Sequence, residues 1–150
     1  MENVANYFYS EMLANMISQA RYTVKSLKKQ NYLYSPSSAA WEYQTIHFGG
    51  MRGSGHNTAI EALSHVFKCE IVCAIPAHIK LFADAKKGTS ITWLDHVLQP
   101  GTHRHKFEVV FLDNWATMML QAYPDVESMI HQLEPIYRGY TNSTIFVLIH

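Results

Sequence analysis

Short apolar runs that alternate with helical segments constrain the fold of this chain more than any other feature. Each run is rich in aromatic and β-branched residues and is short enough to form one buried strand. The runs are 42–48, 70–75, 107–114 and 144–149. Because uniformly apolar runs suit strands that are covered on both faces, we predict an α/β fold with a mainly parallel sheet and helices on both faces, a three-layer α/β/α arrangement.

The segments between these runs carry helix and turn signals. We predict helices over 77–87, 115–123 and 125–133, where Gly88 ends the first and Asp125 caps the last. Residues 89–94 fit either a short strand or the start of a helix that reaches residue 98. This alternative stays open, because an added strand would change the order of the sheet.

A long amphipathic helix is predicted before the α/β core. Apolar residues recur at helical spacing from Val4 to Leu27, and basic residues gather toward Lys29. We expect one domain over 1–150, in which 1–40 form this helix and a connector and 41–150 form the core. The 48% of hydrophobic residues is enough for a real core. The apolar stripe of the helix packs on the sheet or joins two copies of the chain.

A glycine-rich segment lies between the first apolar run and a predicted helix over 59–67. Glycines permit close backbone approach, so that successive N–H groups point at phosphate oxygens, and the dipole of a following helix favours an anion. Glycines also occur in ordinary surface turns, so the order strand, glycine-rich segment, helix is what indicates a phosphate site. The segment reads Gly50, Met51, Arg52, Gly53, Ser54, Gly55, His56, Asn57 and Thr58.

This segment resembles the Walker A motif of P-loop NTPases, and the run 107–114, which contains Asp113, resembles Walker B. The resemblance extends from about residue 42 to the C-terminus, and the glycine-rich segment is similar to those of small phage-encoded ATPase-like proteins. It implies binding of a nucleoside triphosphate or diphosphate, ATP or another NTP, with Mg²⁺ oriented by Asp113. The implied nucleotide-binding residues are Gly50, Arg52, Gly53, Ser54, Gly55, His56, Asn57 and Thr58.

Three positions depart from the family pattern. His56 replaces the lysine, Asn57 replaces the serine or threonine that helps to hold magnesium, and Asn114 replaces the glutamate that polarises water in helicase-like members. An imidazole, with an ordinary pKa of about 6.5, is mostly neutral at physiological pH unless a bound triphosphate favours its protonation. Arg52 is the other source of charge. Asn57 offers magnesium a carbonyl oxygen beside Asp113, and His56 and Asp113 are the candidate catalytic residues.

These departures leave three function classes open. The chain is a nucleotide-binding protein with weak or partner-dependent hydrolysis, a non-catalytic pseudo-NTPase that serves as a protein-interaction or regulatory module, or an α/β protein that binds no nucleotide. Loss of the lysine and the glutamate favours the second class over the first. Retention of the glycines and of Asp113 disfavours the third. A neighbouring subunit would supply the missing charge in the first class, and Arg138 is a candidate for it.

Histidines and cysteines suggest metal sites only weakly. The cluster 103–106 follows a turn signal, and we expect a solvated basic loop on the side of the sheet away from a nucleotide; the alternative is phosphate contact. Cys69 and Cys73 are expected to be buried structural thiols. The alternative is a metal pair completed by His65 or His78, but the spacing matches no known ligand pattern.

Charge and hydropathy limit the partners. Twelve basic and twelve acidic residues give a net charge of zero, so a strongly basic nucleic-acid surface is not indicated, although local contact stays open. No apolar run approaches the ~20 residues that cross a bilayer, and we expect a cytoplasmic protein, in the host cytoplasm if it is viral. The last strand is expected at the far edge of the sheet, where copies of the chain would associate along it or through the N-terminal helix.

Overall fold

The computed structural model describes residues 4–30, 35–48, 56–104, 106–122 and 125–149. Within these ranges the strands are β1 Thr45–Phe48, β2 Cys69–Cys73, β3 Ser90–Trp93, β4 Val109–Asp113 and β5 Ile145–Ile149. The α-helices are α1 Val4–Lys29, α2 Pro36–Tyr43, α3 His56–Leu63, α4 Leu94–Val97, α5 Trp115–Ala122, α6 Val126–Tyr137 and α7 Gly139–Asn142. A 3₁₀-helix covers Pro76–Phe82.

The strands form one sheet in the order β1-β5-β4-β2-β3, and every pairing is parallel. This confirms the mainly parallel α/β fold. The expectation that the last strand lies at an edge is wrong, because β5 lies between β1 and β4. Each residue of β5 is buried, as its apolar sequence requires. The edges of the sheet are β1 and β3, so association along an edge through β5 is excluded.

Alternate residues of the strands face two separate hydrophobic cores. On one face, α1, α3 and the 3₁₀-helix supply Leu13, Ile60 and Phe82, which pack on strand residues such as Phe111. On the other face, α2, α4, α5 and α6 pack on the intervening strand residues. Leu133 of α6 and Phe146 of β5, for example, belong to this second core. The helices therefore cover both faces, as the apolar strands predict.

Several element boundaries differ from the sequence predictions. The run 42–48 begins as a helix, because Pro36 stands in the first turn of α2 and Ser35 caps it by accepting from the N–H of Ser38 at 3.2 Å. Residues 89–94 contain a strand and then a helix, so both alternatives hold in part. The predicted α-helix over 77–87 is instead the 3₁₀-helix, and Gly88 follows in a turn with φ 90°.

Specific polar contacts attach α1 to the amino ends of the central strands. The Arg21 guanidinium pairs with the Glu108 carboxylate, and its Nε donates to the carbonyl of Ser143 at 3.2 Å. Near the end of the helix, the Lys28 ammonium lies 5.0 Å from the centre of the Tyr140 ring. Burial and the nearby positive charges of Lys25 and Arg21 lower the pKa of Lys28. The long helix therefore belongs to the α/β/α core and is fixed in register on it.

Candidate functional site

The carboxyl edge of the parallel sheet is where the sequence predicts a phosphate site. In open parallel α/β sheets, ligands bind outside this edge. β1 ends at Phe48, and α3 begins at His56, so the residues between them join the strand to the helix. The order strand, glycine-rich segment, helix is thus present, although the helix ends at Leu63 and is shorter than 59–67.

Only part of the predicted phosphate-binding segment falls within the described residues. Gly50, Arg52, Gly53, Ser54 and Gly55 lie outside them. His56 is the first residue of α3, Asn57 is partly buried, and Thr58 is exposed. The helix turns its apolar residues inward, since Ile60 is fully buried against the core that includes Phe48. The first turn of α3 thereby stays at the edge of the sheet.

Asp113 ends β4 at the same edge. It is 8% exposed, and its backbone pairs with Ile149 at the end of β5. Val109 and Phe111 face the core that α3 covers, so the alternation along β4 places Asp113 on that face as well. One strand separates β4 from β1, so the two strand ends lie about 10 Å apart. The structure therefore brings Asp113 and the start of α3 to one face and one edge.

The charge of Asp113 also acts on Cys73. Burial raises the pKa of the Cys73 thiol to about 12, and the Asp113 carboxylate adds to this effect. Cys73 ends β2, the strand beside β4, and its side chain belongs to the same core. Asp113 is thus an acidic group at the margin of an apolar region, where its electrostatic interactions are weakly screened.

Asn114 has a left-handed backbone with φ 60°. Its N–H donates to the carbonyl of Ile149 at 2.9 Å, and its carbonyl accepts from the N–H of Thr117 at 3.1 Å in the first turn of α5. Asparagine tolerates this conformation better than other side-chain-bearing residues. The backbone conformation therefore gives a structural reason for asparagine at position 114 that is independent of catalysis.

An aromatic cluster lies on the opposite face of β1. The His47 ring meets Trp41 of α2 at 6.1 Å and Trp115 of α5 at 6.2 Å, both edge to face. Trp41 and Trp115 are partly buried against the second core. This arrangement explains Trp41 by packing, whereas α3 and Asp113 occupy the other face.

The opposite, amino edge of the sheet holds a buried polar network that the sequence did not reveal. Glu70 in β2 is 0% exposed, its carboxylate pairs with the Arg104 guanidinium, and it accepts from the Tyr137 hydroxyl. The Ser90 hydroxyl donates to the same carboxylate at 2.7 Å. Burial and the neighbouring Glu70 charge raise the pKa of Tyr137. The sequence indicates only that Glu70 lies at the start of a strand. In the structure its carboxylate holds Arg104, in the segment before β4.

This network corrects one prediction about positive charges. The loop 103–106 is not simply solvated, because Arg104 is held by Glu70 and its N–H donates to the carbonyl of Ile136 at 2.8 Å. Its place at the amino edge agrees with the expected side of the sheet. Arg138 is exposed and precedes β5, so it also lies at the amino edge. Asp113 lies at the opposite edge, and the expected action of Arg138 from a neighbouring subunit stays a prediction.

Both cysteines are buried and unpaired. Burial, with the nearby charges of Glu70 and Glu108, raises the pKa of Cys69 to about 12. Within the part of the chain that the structure describes, no three His, Cys, Asp or Glu side chains are grouped to hold a metal ion. In those same residues no helix is long and apolar enough to cross a membrane.

Comparison with known protein families, curated proteins and solved structures finds no match to this chain.

Proposed function

We propose that this protein binds a nucleoside triphosphate with Mg²⁺ at the carboxyl edge of its sheet, and that hydrolysis is weak or depends on a partner. The observation that supports this most is the position of Asp113. It ends β4 on the face covered by α3, one strand away from the strand that leads into the glycine-rich segment. An acidic group and the start of a helix then lie on two sides of one ligand.

The chemistry of the edge suits a magnesium-bound phosphate. The first N–H groups of α3 have no acceptor within the helix, and its dipole favours an anion at His56. Magnesium prefers hard oxygen ligands, and it binds through one or two carboxylates together with phosphate oxygens. Asp113 would provide the carboxylate, and Asn57 a neutral oxygen. Backbone groups of the glycine-rich segment would hold the β-phosphate.

Weak hydrolysis follows from the residues that replace the catalytic ones. Asn114 follows Asp113 directly but has no basic group to accept a proton from water. Its left-handed backbone also disfavours a glutamate there. His56 supplies a full positive charge only when it is protonated. A partner or a second copy of the chain would have to provide the missing groups.

The second candidate is a pseudo-NTPase that binds nucleotide without turnover and acts as a protein-interaction or regulatory module. The observation in its favour is that the backbone at Asn114 suits asparagine in place of a catalytic glutamate. Both candidates require nucleotide binding at the same edge, and they differ in phosphate release. A measurement of turnover under saturating ATP separates them.

Calorimetry with ATP, ADP and GTP, with and without Mg²⁺, tests the proposal. We expect magnesium-dependent binding that Asp113→Asn weakens at least about tenfold, because a charged contact contributes about 1.5–3 kcal/mol. Asp84→Asn is the matched control, since Asp84 is exposed and follows the 3₁₀-helix toward the amino edge. Thermal unfolding checks that both variants fold. No binding at millimolar nucleotide would exclude both candidates.

A further inference from the structure

A cavity lies at the amino edge of the sheet, on the opposite side from Asp113. It has a volume of about 460 Å³ and lies between the turn after α3 and the loop before β3. Cys69, the first residue of β2, lines it, and β2 spans roughly 15 Å between the two edges. The cavity is therefore a separate place from the proposed nucleotide site. Its volume lies within the range of about 300–1,000 Å³ that is typical of small-molecule sites.

Positive charge converges on this cavity from two segments of the chain. Lys68 and His65 come from the first wall, and Lys86 and Lys87 come from the second. None of the described residues that line the cavity is acidic. The ion pairs found among the described residues do not involve these lysines. In a chain with no net charge, three of the twelve lysines and arginines thus surround one cavity without a carboxylate in it.

Two carboxylates that contact lining residues of the cavity are engaged elsewhere. Glu108 accepts from the backbone N–H of Lys68 at 2.9 Å and pairs with Arg21. Glu70 is held by the network with Arg104. The Lys68 ammonium therefore has no competing partner from these two acids. An anionic ligand would meet unpaired ammonium groups at the mouth of the cavity. A lysine ammonium is a compact positive charge that binds phosphate.

The walls are fixed and partly apolar. The N–H of Lys86 donates to the Ser64 hydroxyl at 2.9 Å, which holds the two segments together. Phe67 and Phe107 contribute aromatic surface to the lining. The Phe107 ring is held by an edge-to-face contact with Tyr137 at 6.1 Å. The site thus combines a cationic mouth with aromatic walls, which suits a molecule that has both an anionic group and a flat body.

We propose that this cavity binds a small phosphorylated molecule of about mononucleotide size, and that binding does not require magnesium. The lysines contact the phosphate, and the ring or sugar lies against the aromatic walls. A small molecule suits the cavity better than a nucleic-acid strand, because the neutral chain lacks the extended basic surface that successive phosphates require.

Amide NMR in EDTA tests the proposal, with inorganic phosphate and adenosine monophosphate as probes. We expect saturable shifts for 66–69 and 86–90, with the nucleotide binding more tightly than phosphate. The double variant Lys86→Ala/Lys87→Ala should weaken binding at least about tenfold, since each charged contact contributes about 1.5–3 kcal/mol. Lys80→Ala is the matched control, because Lys80 is exposed on the 3₁₀-helix and does not line the cavity. It should change affinity less than about twofold.

Four outcomes would overturn the proposal. One is the absence of saturable shifts up to about 10 mM of either probe, since millimolar dissociation is already weak. A second is a loss of affinity in Lys80→Ala equal to that in Lys86→Ala/Lys87→Ala, which would indicate general electrostatic attraction and not a site at the cavity. Shifts only at 56–60 and 112–114 would leave the proposed nucleotide site intact but exclude this one. Finally, single-stranded DNA of ten nucleotides that binds about a hundredfold more tightly, with a steep salt dependence, would make the occupant a strand.

Discussion

The N–H of Asn114 donates to the carbonyl of Ile149 at 2.9 Å, which joins the residue after β4 to the end of β5 at the carboxyl edge. Asn114 adopts φ 60° in making this contact. The left-handed conformation disfavours residues with a Cβ atom by about 1–2 kcal/mol, and asparagine and glycine are the usual exceptions. The backbone conformation at position 114 therefore favours asparagine. This position directly follows Asp113, the acidic residue of the proposed site.

Substitution of Asn114 should consequently follow backbone preference. We expect Asn114→Ala and Asn114→Glu to lower the free energy of unfolding by about 1 kcal/mol, while Asn114→Gly leaves it nearly unchanged. Urea unfolding measures the difference. Equal stability of the alanine and glycine variants would contradict the argument. Asn114→Glu should also fail to raise ATP hydrolysis by itself, because the strained backbone does not place the carboxylate for catalysis.

The parallel sheet was predictable because its signal is local. The runs that form β2, β4 and β5 are mostly apolar, with Glu70 in β2 and Asp113 at the end of β4 as exceptions, and such runs suit strands covered on both faces. Asp125 was predictable as a cap for the same reason, since its side chain accepts from the N–H of Ser128 three residues on at 2.7 Å. Neighbouring residues alone are enough to identify both features.

Features that depend on distant residues were not predictable. Strand order places β5 inside the sheet, and no local pattern encodes this. Glu70 finds Arg104 34 residues away and Tyr137 67 residues away, so its burial could not be read from β2. Lys68 and Lys86 are likewise separated in sequence and meet only at the cavity. For the proposed nucleotide site, the sequence suggested Asp113, while its face of the sheet and the one strand between β4 and β1 required the fold.

The Tyr137 hydroxyl should contribute measurably to stability. Tyr137→Phe removes the donor to Oε2 of the fully buried Glu70 carboxylate, whereas Arg104 and Ser90 contact the other oxygen, Oε1. We expect the free energy of unfolding to fall by about 1–3 kcal/mol, the usual cost of an unsatisfied buried group. Tyr22→Phe, at a side chain that is 74% exposed, is the control and should have no effect. Urea unfolding that shows equal stability for both variants would mean that the network adds nothing.

The two thiols should be inert in the folded protein. The pKa of Cys69 and of Cys73 is about 12, so at pH 8 only about one thiol in ten thousand is ionised. We expect no reaction with a disulfide reagent under native conditions, and reaction of both thiols after denaturation. Rapid labelling of either thiol in the native protein would show that its surroundings open.

The same shifts predict a loss of stability at alkaline pH. Both pKa values are raised above the ordinary 9.0, so the contribution of Cys69 and Cys73 is fully present below pH 9 and is lost as pH rises from 9 toward 12. Comparison of urea unfolding at pH 8 and pH 10 measures this loss. The Cys69→Ala/Cys73→Ala variant is the control. Its stability should fall less over that interval because it lacks both thiols, and the fall that remains comes from other ionisable groups, such as Tyr137.

The charge of His56 should govern nucleotide affinity if the imidazole contacts phosphate. The protonated ring attracts the triphosphate, and deprotonation removes this attraction, so affinity for ATP with Mg²⁺ should weaken as pH rises from about 6 to 8. His56→Lys keeps the charge over that range and should remove the part of the pH dependence that comes from the imidazole, with tighter binding and increased phosphate release at pH 8. Because the ATP phosphate itself titrates near pH 6, the informative quantity is the difference between the two proteins in calorimetry. Parallel pH profiles would show that His56 does not contact the phosphate, and would leave Arg52 as the source of positive charge in the segment.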